Sequence, residues 1–317
     1  MRKTSTLRLL LWFLIIFCVS ACQAQDALYP LSTTKAGVGY GVYVNGGYAY
    51  ITNNEGVLIF DVQDPKNPKE IGSVLTGYTK RVVTKDGLAY IACEHGLVIA
   101  DIRDPAVPER VGAYDSQGIA QSVSVDGNYA YLAGAQGLEI VDVSNPDNPV
   151  QAARLEGEEA WGVAIYENYI YLAVPNTGLE VIDVRDPFSP QKIRTAPGTQ
   201  AAWDVHIYQG TAYVGCHSNG VIIFNLSNKE SPELIGRYLD DDGGEALGIW
   251  GDSQFLYVAD NFGIEVLDVQ DPTRPQQVAE YGNTNGAHDI YVDGNLIYVA
   301  EGRKGLMIFE FKGPQER

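Results

Sequence analysis

Basic residues are scarce in this 317-residue chain: 22 Lys and Arg stand against 40 Asp and Glu, a formal charge of −18. That balance argues against nucleic acid as a partner, because affinity for phosphate backbones comes mostly from Lys and Arg. It also argues against attachment to anionic lipid by charge. Cysteine is sparse too. Of the 4 present, Cys18 and Cys22 lie near the start and Cys93 and Cys216 lie far apart, which is no disulfide framework. There is no Cys-x-x-Cys-His haem signature, no Gly-x-Ser-x-Gly elbow and no phosphate-cradling Gly loop. Helical periodicity with caps is missing, so His95, His206, His217 and His288 have no helix to hold them at zinc-protease spacing. No catalytic residue, metal ligand or cofactor is assigned from the sequence.

What is present begins with an address. Arg2, Lys3 and Arg8 precede an apolar run from Leu9 to Val19, too short to span a bilayer, and Ser20-Ala21 leads into Cys22. This is the layout of a secretory signal, and Val19-Ser20-Ala21-Cys22 resembles a bacterial lipobox. The expectation is a signal peptide over 1–21, lipidation at Cys22 and a tether over 22–27. Ordinary secretion with cleavage near Ala24 is the other reading. Gln23 after the cysteine resembles outer-membrane sorting if the host has two membranes. The membrane is thus a partner through the lipid.

The body of the chain is repetitive. GVLIFD, GLVIAD, GLEIVD, GLEVID, GVIIFN, GIEVLD and GLMIFE are headed by Gly56, Gly96, Gly137, Gly178, Gly220, Gly263 and Gly305. A tyrosine leads each copy, at Tyr50, Tyr90, Tyr131, Tyr171, Tyr213, Tyr257 and Tyr298. Within one copy, WGVAIY, YIYLAV, LEVIDV and QKIRTA (161–196) are four short runs rich in β-branched and aromatic residues, separated by turn chemistry. Four antiparallel strands per unit, seven times over, predict an all-β, seven-bladed β-propeller across 28–312, with a tail over 313–317. Blades start near 38, 79, 119, 159, 201, 245 and 286. The last copy stops after three strands, so the unpaired segment 28–34 (LYPLSTT) is expected to complete it.

Gly178-Leu179-Glu180-Val181-Ile182-Asp183-Val184, with its Tyr-x-Tyr-Leu-Ala lead-in and Asp-Pro exit, resembles the LVIVD repeat of bacterial and archaeal exported proteins. The resemblance covers 37–312 and implies a propeller at the cell surface or envelope. It brings no catalytic residues. Blade five departs from it, with Asn225 for the Asp and Ser227-Asn228-Lys229 for the first Asp-Pro.

Residues common to every copy serve what every blade needs. The seven tyrosines are expected in the core. Asp61, Asp101, Asp142, Asp183 and Asp268 are expected to organise turns. Variation is concentrated just before each innermost strand, at Tyr40, Lys80, Gln121, Trp161, Trp203, Leu247 and His288. These seven should ring one mouth of the central channel, either as a ligand-binding surface or as a plug. Glu156, Glu158, Glu159, Asp240, Asp241, Asp242 and Glu245 would lie on one side of that face. Lys80, Arg81, Arg303 and Lys304 would lie on the other. The resulting expectation is a non-enzymatic, lipid-anchored binding or assembly platform in the envelope, taking a protein or a small glycan or peptide. The alternative is an envelope lyase or hydrolase acting on a sugar or peptide, with His288, Asp289, Tyr40, Asp204 and His206 as acid–base groups.

Overall fold

A computed structural model describes residues 27–240, 243–282, 284 and 286–313. The signal peptide, Cys22, most of the tether, Asp241, Asp242 and the end of the tail lie outside the described residues. Seven sheets of four antiparallel strands follow one another around a ring, and no helix occurs among the described residues. In six blades the strands are consecutive; blade four, for example, runs Gly162–Tyr166, Tyr169–Val174, Gly178–Asp183 and Gln191–Thr195 from channel to rim. The seventh blade takes its outer strand from the other end of the chain. Leu28–Thr34 pairs antiparallel with Gly305–Phe311, Leu28 opposite Phe311 and Thr34 opposite Leu306. Ring closure leaves the last blade no bare third-strand edge.

The two middle strands of each blade are the driest. The third strands Gly96–Asp101, Gly137–Asp142 and Gly178–Asp183 are buried at every position but the last, as strands sandwiched between neighbouring sheets must be. The glycine that heads this strand is a backbone requirement. At Gly137 φ is 95°, and a Cβ would lie 2.7 Å from the Leu155 carbonyl oxygen. The aspartate ending the strand accepts the backbone N–H two residues on, as in Asp61 to Gln63, Asp142 to Ser144 and Asp268 to Gln270. Asn225 does the same for Ser227, so blade five keeps the turn although it lost the charge. All seven repeat tyrosines are buried.

Blades lock to one another at the rim. A Cβ at Gly72 would sit 2.3 Å from the Pro105 oxygen, so the double-proline turn of the next blade approaches bare backbone there. Gly112 and Pro146 repeat the contact. At the closure, Ser32 in the N-terminal strand donates to the Pro65 oxygen at 2.7 Å, carrying the rim contact from the seventh blade to the first.

Candidate functional site

Each innermost strand enters the channel at the same height, and the residue before it escapes the ladder. Lys80, Gln121 and His288 sit at register shifts, between Thr79 and Arg81, Ala120 and Ser122, and Ala287 and Asp289. Bulges of this kind re-aim a side chain out of the sheet. Tyr40, Trp161, Trp203 and Leu247 immediately precede their strands and keep only a backbone N–H bond, to Thr52, Ala173, Gly215 and Ala259. At this position the blades carry Tyr, Lys, Gln, Trp, Trp, Leu and His.

All seven side chains line one cavity of about 370 Å³ at the mouth, joined by Arg81, His217 and Glu245. Trp161 and Trp203 lie against each other, ring centroids 4.1 Å apart, and His217 packs on Trp203 at 5.0 Å. Across the mouth, Tyr40 meets Tyr78 at 5.1 Å and His288 at 5.9 Å. The Lys80 ammonium stands over the faces of Tyr40, Tyr78 and Trp161, at 4.9, 5.0 and 5.4 Å. Burial pushes the Lys80 pKa down, against a smaller upward pull from Tyr40 and Glu159. Burial and then Lys80 lower that of His288, which favours neutral imidazole at neutral pH. The carboxylates here are engaged: Glu245 lies 3.2 Å from His217, and Glu159 accepts from Gln121 Nε2 at 2.8 Å.

Directly beneath this cavity the channel is divided by a tie that the repeat pattern obscured. Arg81 is not a loop charge; it lies in the inner strand of blade two and projects inward. Its guanidinium lies 3.2 Å from Asp204 of blade five and 3.0 Å from Asp289 of blade seven. Val42 N–H donates to Asp289 and Ile249 N–H to Asp204, so blades one and six join as well. The signal was present in the copies. At the position after each mouth residue, four carry Gly41, Ser122, Gly162 and Gly248, whereas three carry one positive and two negative charges. Charges aimed into one narrow channel must pair. The small residues make the room: a Cβ at Gly162 would lie 3.0 Å from the Asp204 Cα.

Below the tie lies a second cavity of about 330 Å³, lined by Tyr43, Ser124, His206, Trp250 and Tyr291 among others. His206, expected with the mouth, belongs here. Its Nε2 is 2.8 Å from the Gly251 carbonyl oxygen and its ring packs on Trp250 at 5.5 Å. The five acid–base candidates are therefore not one group. Asp204 and Asp289 are bound to Arg81, His206 is on the far side, and only His288 and Tyr40 face the mouth.

His217 reaches the mouth from the loop after Cys216, in a left-handed conformation with φ 47°. Its counterpart in blade two, His95, is exposed and is not among the residues lining the cavity. Cys93 and Cys216 are buried, and burial pushes their thiol pKa values up, Cys216 to about 12. Glu158 and Glu159 are exposed loop residues, and Glu156 is the exposed last residue of the outer strand Val150–Glu156. Among the described residues, carboxylate oxygens of Asp240, Asp260 and Glu265 lie within 4.8 Å of one another. They already accept from Gly244 N–H, from Phe262 and Gly263 N–H, and from the Tyr238 hydroxyl, respectively.

The LVIVD repeat family model matches the chain seven times, at 36–76, 76–116, 117–155, 157–194, 200–240, 243–283 and 286–309. Among solved structures, the chain is similar to the β-propeller domain of Cps50 (Swd1) from Myceliophteria thermophila. The TM-score is 0.73 at 12% identity, covering 90% of this chain and 100% of that one. It is also similar to the computationally designed Ika8 protein, with a TM-score of 0.66 at 9% identity over 89% and 99% of the two chains. At such identities the likeness concerns the fold alone. No curated protein matches the sequence.

Proposed function

Because the chain belongs to the LVIVD repeat family, we propose that its seven-bladed propeller is a non-enzymatic binding platform, exported and lipid-anchored to the cell envelope through Cys22. The observation that carries the binding reading is the convergence of the seven variable positions on one cavity at one mouth. The glycines, tyrosines and turn residues of the scaffold repeat from blade to blade, whereas this ring carries seven side chains of which only the two tryptophans are alike. The enzymatic alternative needs two titrating groups within reach of one substrate. Tying up Asp204 and Asp289 and removing His206 to the lower cavity take support from it.

Anchoring rests on the leader sequence and agrees with the direction of the first strand. Leu28 lies beside Phe311, at the face opposite the mouth, and Ala27 accepts a bond from Lys312 N–H there. The five residues between Cys22 and the first strand, 23–27, span at most roughly 15–20 Å. The lipid would hold the far rim near the bilayer and leave the mouth accessible, in the outer membrane where a host has two. A Cys22→Ser variant should move from the membrane pellet to the soluble fraction; equal pelleting of both forms contradicts the anchor.

Binding is tested by pull-down with the anchored protein, wild type against Trp161→Ala/Trp203→Ala. Loss of one specific partner, protein, peptide or glycan, is the expected result. Turnover of a sugar or peptide that disappears on changing Trp161, Trp203 or His288 would replace this reading with the enzymatic one.

A further inference from the structure

Resting on the mouth as a binding site, the chemistry of its ligand can be read from which polar groups there lack partners. Two are open, and they are neighbours in the ring. Lys80 is held by three aromatic faces, and no carboxylate among the described residues lies within ion-pair distance of its ammonium. Gln121 is 8% exposed and its amide orientation is fixed by donating Nε2 to Glu159, yet its buried Oε1 has no hydrogen-bond partner. A buried acceptor left without a donor is unfavourable, a deficit that a ligand N–H would remove. The next two positions round the ring are Trp161 and Trp203, both half-buried and lining the same cavity.

The remaining charges do not compete for this role. Arg81 beneath is paired with both Asp204 and Asp289 and offers no free cation to a ligand. Glu245 lies 3.2 Å from His217 Nε2 and Glu159 accepts from Gln121 Nε2, so neither carboxylate sits on the Lys80 ammonium. An aromatic cage of this kind commonly receives a cation. Here it is filled by the protein's own lysine, which repels a cationic guest and presents a positive charge to an anionic one.

We propose that the mouth binds a carboxylate separated by one amide N–H from its acyl group and bearing an apolar side chain, as in an N-acyl amino acid or the C-terminal residue of a peptide. The carboxylate meets Lys80, the N–H donates to Gln121 Oε1, and the side chain lies on the Trp161 and Trp203 faces. A volume of about 370 Å³ is within the range of small-ligand sites.

The test is titration of the purified protein, followed by calorimetry, with N-acetyl-L-phenylalanine, its primary amide and the cation phenethylamine. Gly-Gly-Phe and its C-terminal amide distinguish a peptide end from a free acyl amino acid. The acid should bind at least about tenfold tighter than the corresponding amide, since hydrogen bonds to a charged acceptor are about twice as strong as neutral ones. Lys80→Met should abolish that preference, and Gln121→Leu should weaken acid and amide alike. Amide or amine binding as tightly as acid overturns the anionic assignment while leaving the mouth a binding site. Absence of binding by every probe also overturns it, whereas the platform reading falls only if Trp161→Ala/Trp203→Ala keeps the wild-type partner. The wild-type acid-to-amide ratio needs no variant to fold.

Discussion

The channel's two chambers have nearly the same volume and share Arg81 as a partition, yet their chemistry is opposite. Below the tie the aromatic side chains pack on one another, and among the described residues no buried side-chain N or O atom of that lining lacks a partner. His206 has a backbone carbonyl, Tyr43 lies on Tyr291 at 4.9 Å, and Trp250 is flanked by His206, Tyr257 and Tyr291. Above it, Lys80 and Gln121 keep open valences beside two half-buried indoles. A plug and a binding site can use the same residue types. They differ in whether polar groups are left over.

Removing the partition should have the largest effect on stability. Arg81→Leu leaves two buried carboxylates without their cation, which costs about 3–5 kcal/mol. Urea denaturation checks it, and a loss below about 1 kcal/mol would show that the tie does not hold the blades. A sharper division comes from Trp250→Ala, expected to lose about 2–3 kcal/mol of stability while keeping partner binding. Trp161→Ala/Trp203→Ala should do the reverse.

The chambers should also separate in their response to acid. Burial pushes Asp289 up to about 6, with Arg81 pulling down and Asp204 pushing up. An unfolded aspartate titrates near 3.9. Between those values the folded state holds a proton that the unfolded state has released, so this group adds stability as pH falls from about 6 to about 4. Burial lowers His206. The unfolded imidazole takes its proton first, so that contribution is present above about pH 6.5 and lost below it. Asp289→Asn should remove the first slope and His206→Gln the second, measured as urea midpoints against pH. Identical profiles for all three proteins would contradict the assignment. The smallest effect is at the rim: Ser32→Ala should cost about 0.5–1.5 kcal/mol through its bond to Pro65.

Blade number, closure by 28–34 and the membership of the mouth ring were legible in the sequence because repetition exposes them. A glycine, tyrosine or aspartate present in each unit marks packing and turns, and the one position that differs stands out against it. Arg81, Asp204 and Asp289 were less legible: taken singly, the sequence offers Arg81 as a charge on the mouth face and the two aspartates as acid–base groups. Their meaning lies across the channel, between blades two, five and seven. His217 was hidden for a related reason: it reaches the mouth from a loop in a left-handed conformation, which the repeat spacing does not show. Which valences remain open in the upper chamber depends on side-chain pairing and was not readable from residue types.

The central claim, that the upper chamber receives a partner and the lower one does not, is most directly tested by photo-crosslinking in cells. Substituting p-benzoyl-phenylalanine for Trp203 and, separately, for Trp250 puts the same reactive group above and below the tie. An adduct from position 203 and none from 250 is the predicted result. Adducts from 250 alone, or equally from both, would contradict the account.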